Sequence, residues 1–566
     1  MLVHHPSLVS CSNTNPARRT HTATNTHTSP SHMDICSWIH NLPAPDSWPE
    51  SDPQLLLELA TSNSGATPKS ILLEAERTSG SNTEALVTFS VCLRGFFQLS
   101  NPHKTPWVSN PCPLSTSKPF LPLLLQLLQD IITRAPTAHD NGTWTPPLKL
   151  DPAAISRVLG SFPPDQLSHF FNLVFLCRLF WLCVYDAPAE AGSLYFQTLA
   201  PCFNTFLVRD RVIAAFLTAI GADGELLFMR TVGYILVKWS ILREVSGISH
   251  PSLPHAGFSY GRESQGFWVL RGYAPVSAMS RTVFNSQKDL FGLLEAKESA
   301  LRYTLAHQQL EAVVQLEYSV RFHGRFIQVG IRLDNLRIHV TRLGFVQREE
   351  AEEEPEEYAG ERHFPSRVRV TIGPDTGSAC VAGLTLGRST CNPEREVETQ
   401  RVVKGSFGNS KFPKMKATAK TASTVRMRSW RWDQDAEGNT AVFEGVLCDN
   451  GSGVEVATWR PGSGGRVDPR GGFRRRYSGA SRAFSKVGGL VFAGDAYGEE
   501  VSWRLGKEEV RMMMERDGGD LKWRLGGKVW VTYWPDEVTT NYYETRCVEW
   551  CEEVELPIEL QELTRC

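Results

Sequence analysis

Apolar residues are spaced differently in the two parts of this chain. From Asp52 to about Val245 they cluster in short runs at helical spacing, divided by frequent Pro, Gly and Ser breaks. LPLLLQLLQDIIT (121–133) predicts a short apolar helix. Asp151-Pro152 followed by AAISRVLG reads as an N-cap, a proline at the first helical position and a helix ending at Gly160. Pro164-Asp165 opens the most apolar stretch, SHFFNLVFLCRLFWLCVYD, which predicts a central helix buried all round. Helices over 209–220 and 225–245 follow, divided by the turn Gly221-Ala222-Asp223-Gly224. The apolar run 170–185 falls short of the ~20 residues a membrane span needs, and it contains Asn172 and Arg178. No segment is therefore predicted to cross a membrane.

After the loop SHPSLPHAG (249–257) the character changes. GFWVLRGYAP predicts a strand, and an amphipathic helix is expected near 287–310, with Leu290, Leu294, Leu301 and Leu305 on one face. Period two then takes over. Val314, Leu316, Tyr318, Val320 and Phe322 alternate with polar residues, and Ile327, Val329, Ile331 and Leu333 do the same after Gly324. A turn at Asp334-Asn335 leads to Leu336, Ile338 and Val340, which makes a three-stranded meander. Residues 500–536 read as four strands with turns at Gly506-Lys507, Asp517-Gly519 and Gly526-Gly527. Nine of the 15 Trp follow residue 260, a density that favours a sandwich or barrel because a flat sheet leaves long edges open. The fold class expected is α+β multidomain. An N-terminal α-helical bundle or solenoid-like half (33–250) precedes a large antiparallel β barrel or sandwich half (258–560) of one or two β units, with one amphipathic helix.

Composition changes this picture at the termini and in the loops. Residues 1–32 contain no Asp or Glu and five of the 15 His, so they cannot bury a core and are expected to be a disordered extension. A transit peptide and a histidine metal site are the competing readings, and folding is expected to begin near Met33. The net charge of −2 gives no whole-molecule field toward nucleic acid or anionic lipid. The 13 cysteines are scattered without a C-x-x-C, which argues against zinc ribbons and disulfide frameworks and for a reducing compartment, cytoplasmic or nuclear. EEAEEEPEE (349–357) predicts a solvated loop. Residues 401–431 carry nine Lys or Arg and no acid, and 460–482 adds seven basic residues against one Asp.

Few residues suggest chemistry. Asp375-Thr376-Gly377-Ser378 spells the D-T-G-S of aspartic proteases, whose mechanism needs two facing aspartates that share a proton. Asp449-Asn450-Gly451-Ser452 is the only rough partner, and a Gly-rich β-turn accounts for the tetrapeptide equally well. Arg321, His323, Arg337 and His339 share the polar face of adjacent strands. Turned inward they would form a cationic pocket for a carboxylate or phosphate, whereas turned outward they meet solvent, the usual arrangement for an antiparallel sheet. PRGGFRRRYSG places Arg470, Arg474, Arg475 and Arg476 in an RGG-like segment that would contact RNA or serve nuclear import; a solvated loop is the alternative. No Walker loop, G-x-G-x-x-G, H-E-x-x-H or G-x-S-x-G occurs, and no catalytic residue, metal site or cofactor is predicted.

MRSWRWDQDAEGNTAVFEGVLCDN (427–450) and GGKVWVTYWPD with ETRCVEWCEEVELP (526–557) resemble a family of land-plant proteins without assigned function, from about Met33 to the C terminus. The resemblance implies a plant origin, which makes a plastid address for 1–32 the alternative location, and it transfers no functional residue. The expected function is a non-catalytic binding or scaffold protein with a protein partner, its β half presenting a ligand pocket or partner surface. The alternatives are an enzyme with its site on the β half and a nucleic-acid-associated protein using 401–431 and 460–482.

Overall fold

The computed structural model describes residues 34–48, 53–63, 68–79, 85–96, 107–114, 120–138, 148–207, 211–245, 257–277, 307–344, 363–375, 380–387, 398–404, 418–424, 430–448, 455, 489–493, 500–517, 521–533 and 544–558. It is a mixed α+β structure whose sheets are antiparallel.

The N-terminal part departs from the helical expectation. After helix α1 (Ile35–His40) the chain forms strands β1 (Gln54–Ser62), β2 (Lys69–Ser79) and β3 (Ala85–Arg94), extended by the short β4 (Trp107–Val108) and β5 (Cys112–Pro113). Ile71, Leu73 and Ala75 of β2 and Val87, Phe89, Val91 and Leu93 of β3 are buried at every second position, while Glu74, Glu76 and Ser90 face the other way. Leu-rich text with a period of two is a strand once a second strand is available to pair with it. The helices that follow are α2 (Phe120–Thr133), α3 (Pro152–Gly160), α4 (Pro164–Trp181), α5 (Ala189–Thr198), α6 (Phe203–Phe206) and α7 (Arg211–Val245). A short strand, β6 (Thr137–Ala138), leaves this group to pair with the later sheet. These helices share one apolar core with the sheet.

Local signals placed α2, α3, α4 and α7, whereas α5 and α6 were not expected. The Asp151 carboxylate accepts from Ala153 N at 2.9 Å, which caps α3 ahead of Pro152. Gly221 breaks α7 with φ of 75°, a conformation that a residue with a Cβ adopts only with strain. Helix α4 is buried on all sides and runs into a π-helical turn, Leu182–Asp186. The two polar residues inside it have partners. Asn172 Oδ1 accepts from the backbone N–H groups of Ile35 and Cys36, capping α1, and Arg178 Nε donates to Asp130 at 3.0 Å. Two helical stretches, Pro164–Asp186 and Arg211–Trp239, have the length and apolar composition of a membrane span; their apolar windows are 94% and 44% buried inside the protein.

The C-terminal part forms two large sheets and a hairpin. One sheet contains β7 (Phe258–Ser264), β8 (Phe267–Ser277), β9 (His307–Phe322), β10 (Phe326–Gly344), β12 (Val381–Thr385), β17 (Gly489–Ala493) and β18 (Glu500–Gly506), together with β6. The second contains β11 (Phe364–Pro374), β15 (Trp430–Glu437), β16 (Thr440–Leu447), β19 (Leu521–Tyr533) and β20 (Glu544–Leu556). Among the described residues, strands β13 (Glu398–Lys404) and β14 (Thr418–Thr424) pair only with each other. Among the described residues neither large sheet closes into a barrel. Their inner faces share one core, in which Trp523 stands 4.9 Å from Trp503 and 5.3 Å from Trp268. Trp268 Nε1 donates to the Glu555 carbonyl and Ser259 Oγ to Glu552, which tie β7 and β8 to β20.

Three sequence expectations change here, and a fourth lies largely outside the described residues. The turn at Asp334-Asn335 is a bulge inside a continuous β10, so the meander is a long hairpin. The extra residue keeps Leu336, Ile338 and Val340 on the same buried face as Ile327 to Leu333. Residues Lys507–Asp517 form a helix instead of a strand, with Glu508 and Glu509 in its first turn and Arg511 paired to Glu508 and Glu515. Gly526-Gly527 is no turn but the middle of β19, where a Cβ on Gly526 would lie 2.2 Å from Thr371 Oγ1. The helix expected near 287–310 falls outside the described residues up to 306, and His307–Leu310 already belong to β9.

Candidate functional site

Helix α7 covers one end of the outward face of the sheet that holds β7 to β10. Along β8 the residues Trp268, Leu270, Ala274 and Val276 point into the β core, which sends Arg271 and Tyr273 to the other face. In the same way Gln309 and Glu311 of β9 and His339 and Thr341 of β10 lie outward of Leu310, Ala312, Ile338 and Val340. At this end the outward face does not meet water.

Two carboxylate–guanidinium pairs cross the seam in opposite senses. The helix supplies Glu225, 2% exposed, whose carboxylate accepts from Arg271 Nη1 at 2.8 Å, Tyr260 Oη at 2.9 Å and Tyr273 Oη at 2.5 Å. Five residues along the helix, Arg230 donates through Nε and Nη2 to the two oxygens of Glu311, at 2.8 and 3.2 Å. Thr341 Oγ1 also donates to Glu311, at 3.2 Å. An anion and a cation on the helix thus face a cation and an anion on the sheet, an arrangement that fixes the helix in one register. Burial raises the Glu225 carboxyl above its usual range, opposed by the tyrosine hydrogen bonds and by the charges of Arg271 and Arg262. Burial lowers His339, against the pull of Glu311, its neighbour across the β9–β10 ladder.

The four residues singled out from the sequence do not converge. Arg321 and His323 sit beside the β9–β10 turn, both exposed; Arg321 approaches Glu500 at 4.0 Å and the His323 ring stacks on Phe326. Arg337 is exposed and His339 half-buried at the far end of the hairpin. Arg321 pairs in register with Gln328 and His339 with Glu311, so about ten residues of β10, roughly 30 Å, separate the two groups. Arg470, Arg474, Arg475 and Arg476 lie outside the described residues, as does Asp449. Asp375, at the end of β11, accepts from Arg524 at 2.9 Å in a surface ion pair. Among the described residues no group of three His, Cys, Asp or Glu comes together as a metal site would require.

The residues of the seam were not singled out. Glu225, Arg230, Arg271 and Glu311 each stand beside long apolar runs, and a charged residue in such a place is the one signal available beforehand.

No protein-family model matches the chain, and no curated protein matches it. Among solved structures, the Clostridium perfringens NetB toxin in its membrane-inserted form aligns with 54% of this chain and 98% of its own, at 8% identity and a TM-score of 0.21. A structure described as a pore forming protein aligns with 53% of this chain and 95% of its own, at 8% identity and a TM-score of 0.17. Neither score is that of a shared fold, and no inference about this chain rests on either.

Proposed function

We propose that the protein is a non-catalytic binding or scaffold protein that engages a protein partner through the surface of its β half. The observation that carries this reading is the filling of the β core. The inward residues Leu310 to Leu316 of β9 and Ile327 to Val340 of β10 are apolar and buried against Val368, Val370 and Ile372 of the facing sheet, with Tyr318, Val320 and Phe322 partly buried toward the turn, which leaves no room there for a substrate. The most buried carboxylates at the seam, Glu225 and Glu311, are consumed by ion pairs, so their arrangement supports a docking role over acid–base chemistry. In this reading the chain has two units, 33–250 and 258–560, the first a helical layer laid over a small sheet and the second a sandwich. The described cysteines are free thiols, which suits the cytoplasm or nucleus.

Affinity purification of the full chain from its native tissue, with and without nuclease, tests the proposal. A stoichiometric protein partner that survives nuclease is expected. Loss of every partner on nuclease treatment would instead favour nucleic-acid association through 401–431 and 460–482.

A further inference from the structure

Strand β1 is an edge of the N-terminal sheet; among the described residues it pairs with β2 along one side only. A sheet edge presents a row of backbone N–H and C=O groups that can template a further strand, and proteins usually blunt such edges. The other edges of this molecule are short, charged or covered. Strands β4, β5 and β6 have two residues each, and β12 and β17 have five. Strand β15 carries Arg431, Asp433, Asp435 and Glu437. Strands β7 and β20 cover one another so closely that a Cβ on Gly261 would lie 3.0 Å from the side chains of Glu552 and Val554. Strand β1, by contrast, is nine residues long, and its first half, QLLLE, holds three leucines in succession. Its second half is closed off: Leu59 and Ala60 are buried, and Glu190 of α5 pairs with Lys69, the register partner of Ser62. The open stretch is therefore Gln54 to Glu58. Leu55 and Leu57 lie at the rim of the apolar core, which sends Gln54, Leu56 and Glu58 to the outer face, and Leu56 is 45% exposed. Beside Gln54 and Leu56 in register stand Glu76 and Glu74 of β2. Three carboxylates thus share this face. Among the described residues its one cation, Arg94, sits at the opposite end of the sheet, in register with Ser70.

We propose that the Gln54–Glu58 edge is a docking site for an extended segment of a protein partner, in which apolar residues alternate with Lys or Arg. Main-chain hydrogen bonds to β1 hold the segment as a further strand of the sheet. Its apolar side chains extend the core rim beside Leu55 and Leu57. Its basic side chains lie on the outer face, where their aliphatic stems cover Leu56 and their charges reach Glu58, Glu74 and Glu76. Charge selects this occupant over a second copy of the chain. Two β1 strands paired about Leu56 would set Glu58 of one copy opposite Gln54 of the other, two strands from Glu76, and would double the carboxylates on the face without adding a cation beside them. The site is independent of the role proposed above, since it lies on the N-terminal sheet and not on the β half; either can fail without the other.

The test uses the full chain and three end-capped, fluorescein-labelled peptides, VKVKVKV, VEVEVEV and VKPKVKV, titrated by fluorescence anisotropy. VKVKVKV is expected to bind saturably, with a Kd on the order of 100 μM, and more weakly as salt is added. VEVEVEV reverses the charge, and VKPKVKV keeps every lysine but interrupts the strand; each should bind at least about tenfold more weakly. Glu58→Lys and Leu56→Lys change exposed side chains, so the thermal midpoint should hold while VKVKVKV binding falls about tenfold. Should either variant misfold, Glu76→Lys makes the same comparison from β2. Hydrogen exchange of the wild-type chain should slow at residues 54–58 when VKVKVKV is added. Equal binding of the three peptides, binding indifferent to residues 56 and 58, protection elsewhere in the chain, or no saturable binding overturns the proposal. So does a dimer of the chain in sedimentation that Leu56→Lys dissolves, which would give the edge to a second copy.

Discussion

The outward face of the β9–β10 hairpin has two ends, built from similar residues and placed in opposite surroundings. Near the turn, Arg332 pairs with Glu317 and Arg321 with Glu500, all with side chains 39% to 60% exposed. At the far end, Arg230 pairs with Glu311 and Arg271 with Glu225, with side chains 3% to 17% exposed. In water the attraction of such a pair is largely cancelled by hydration and screening, which leaves about 0–1 kcal/mol. Under a helix, the loss of one partner strands the other without solvent, and the cost rises to about 3–5 kcal/mol. The same chemistry therefore decorates one end of the strand pair and locks the other.

The largest effect is expected at Glu225. Glu225→Ala leaves Arg271 and the hydroxyls of Tyr260 and Tyr273 facing an empty space, and should lower the free energy of unfolding in urea by about 3–5 kcal/mol. Glu225→Gln retains an acceptor for the tyrosines and should cost less. An alanine variant within error of wild type would show that α7 does not dock as described.

Glu311 and Glu317 offer the sharper comparison, because they lie on one strand, on one face, six residues apart. Glu311→Ala should cost about 3 kcal/mol and Glu317→Ala less than about 1 kcal/mol. A double-mutant cycle on Arg230 and Glu311 should return a coupling well above that of Arg332 and Glu317. Equal losses at the two glutamates would erase the distinction between the ends.

Much of the architecture was legible beforehand, and the failures share a cause. The alternation from Ile327 to Val340 marked β10, but a break in phase at Asp334-Asn335 suits a turn and a bulge equally until the partner strand is known. QLLLELATS and ILLEAERTS offered leucines at both helical and strand spacing, and pairing with β3 decided between them. Lys507–Asp517 was the reverse case, a run of strong helix formers between two strands that local propensity alone would have placed correctly. At the seam the polar phase of β9 and β10 was evident in Arg337 and His339, but nothing local to those strands says that a helix from residues 211–245 lies over one end and not the other.

Acid should reveal the covered end before it affects the exposed one. His363, which opens β11 and donates its backbone N–H to Gln308 at the start of β9, is fully buried, and burial pushes its pKa down to about 3. Its folded pKa lies below the unfolded value, so the unfolded chain takes up the proton first. The stability is present above about pH 6.5 and lost as pH falls from there toward 3, at roughly 1.4 kcal/mol per pH unit. His339, lowered by burial, acts in the same direction. Glu225 acts oppositely, since its raised carboxyl favours the folded state as pH falls through the carboxylate range. Between pH 6.5 and 5 the histidines lower the stability and Glu225 opposes them. Unfolding free energies measured across that window should fall, and a His363→Gln variant should give a flatter slope; an unchanged slope would mean that His363 is reached by solvent.

The smallest effect is expected at Arg321, which the sequence had marked as a candidate pocket residue. Its side chain is 60% exposed and its nearest carboxylate oxygen, on Glu500, stands 4.0 Å away. At that distance and exposure the attraction is screened by water and salt, and holding two long side chains together opposes it with lost rotamer freedom. Arg321→Ala should therefore change the unfolding free energy by less than about 0.5 kcal/mol, at low and at moderate ionic strength alike. A larger loss that disappears with added salt would mean that the exposed end carries a charge network of its own, and the contrast between the two ends would then be one of degree.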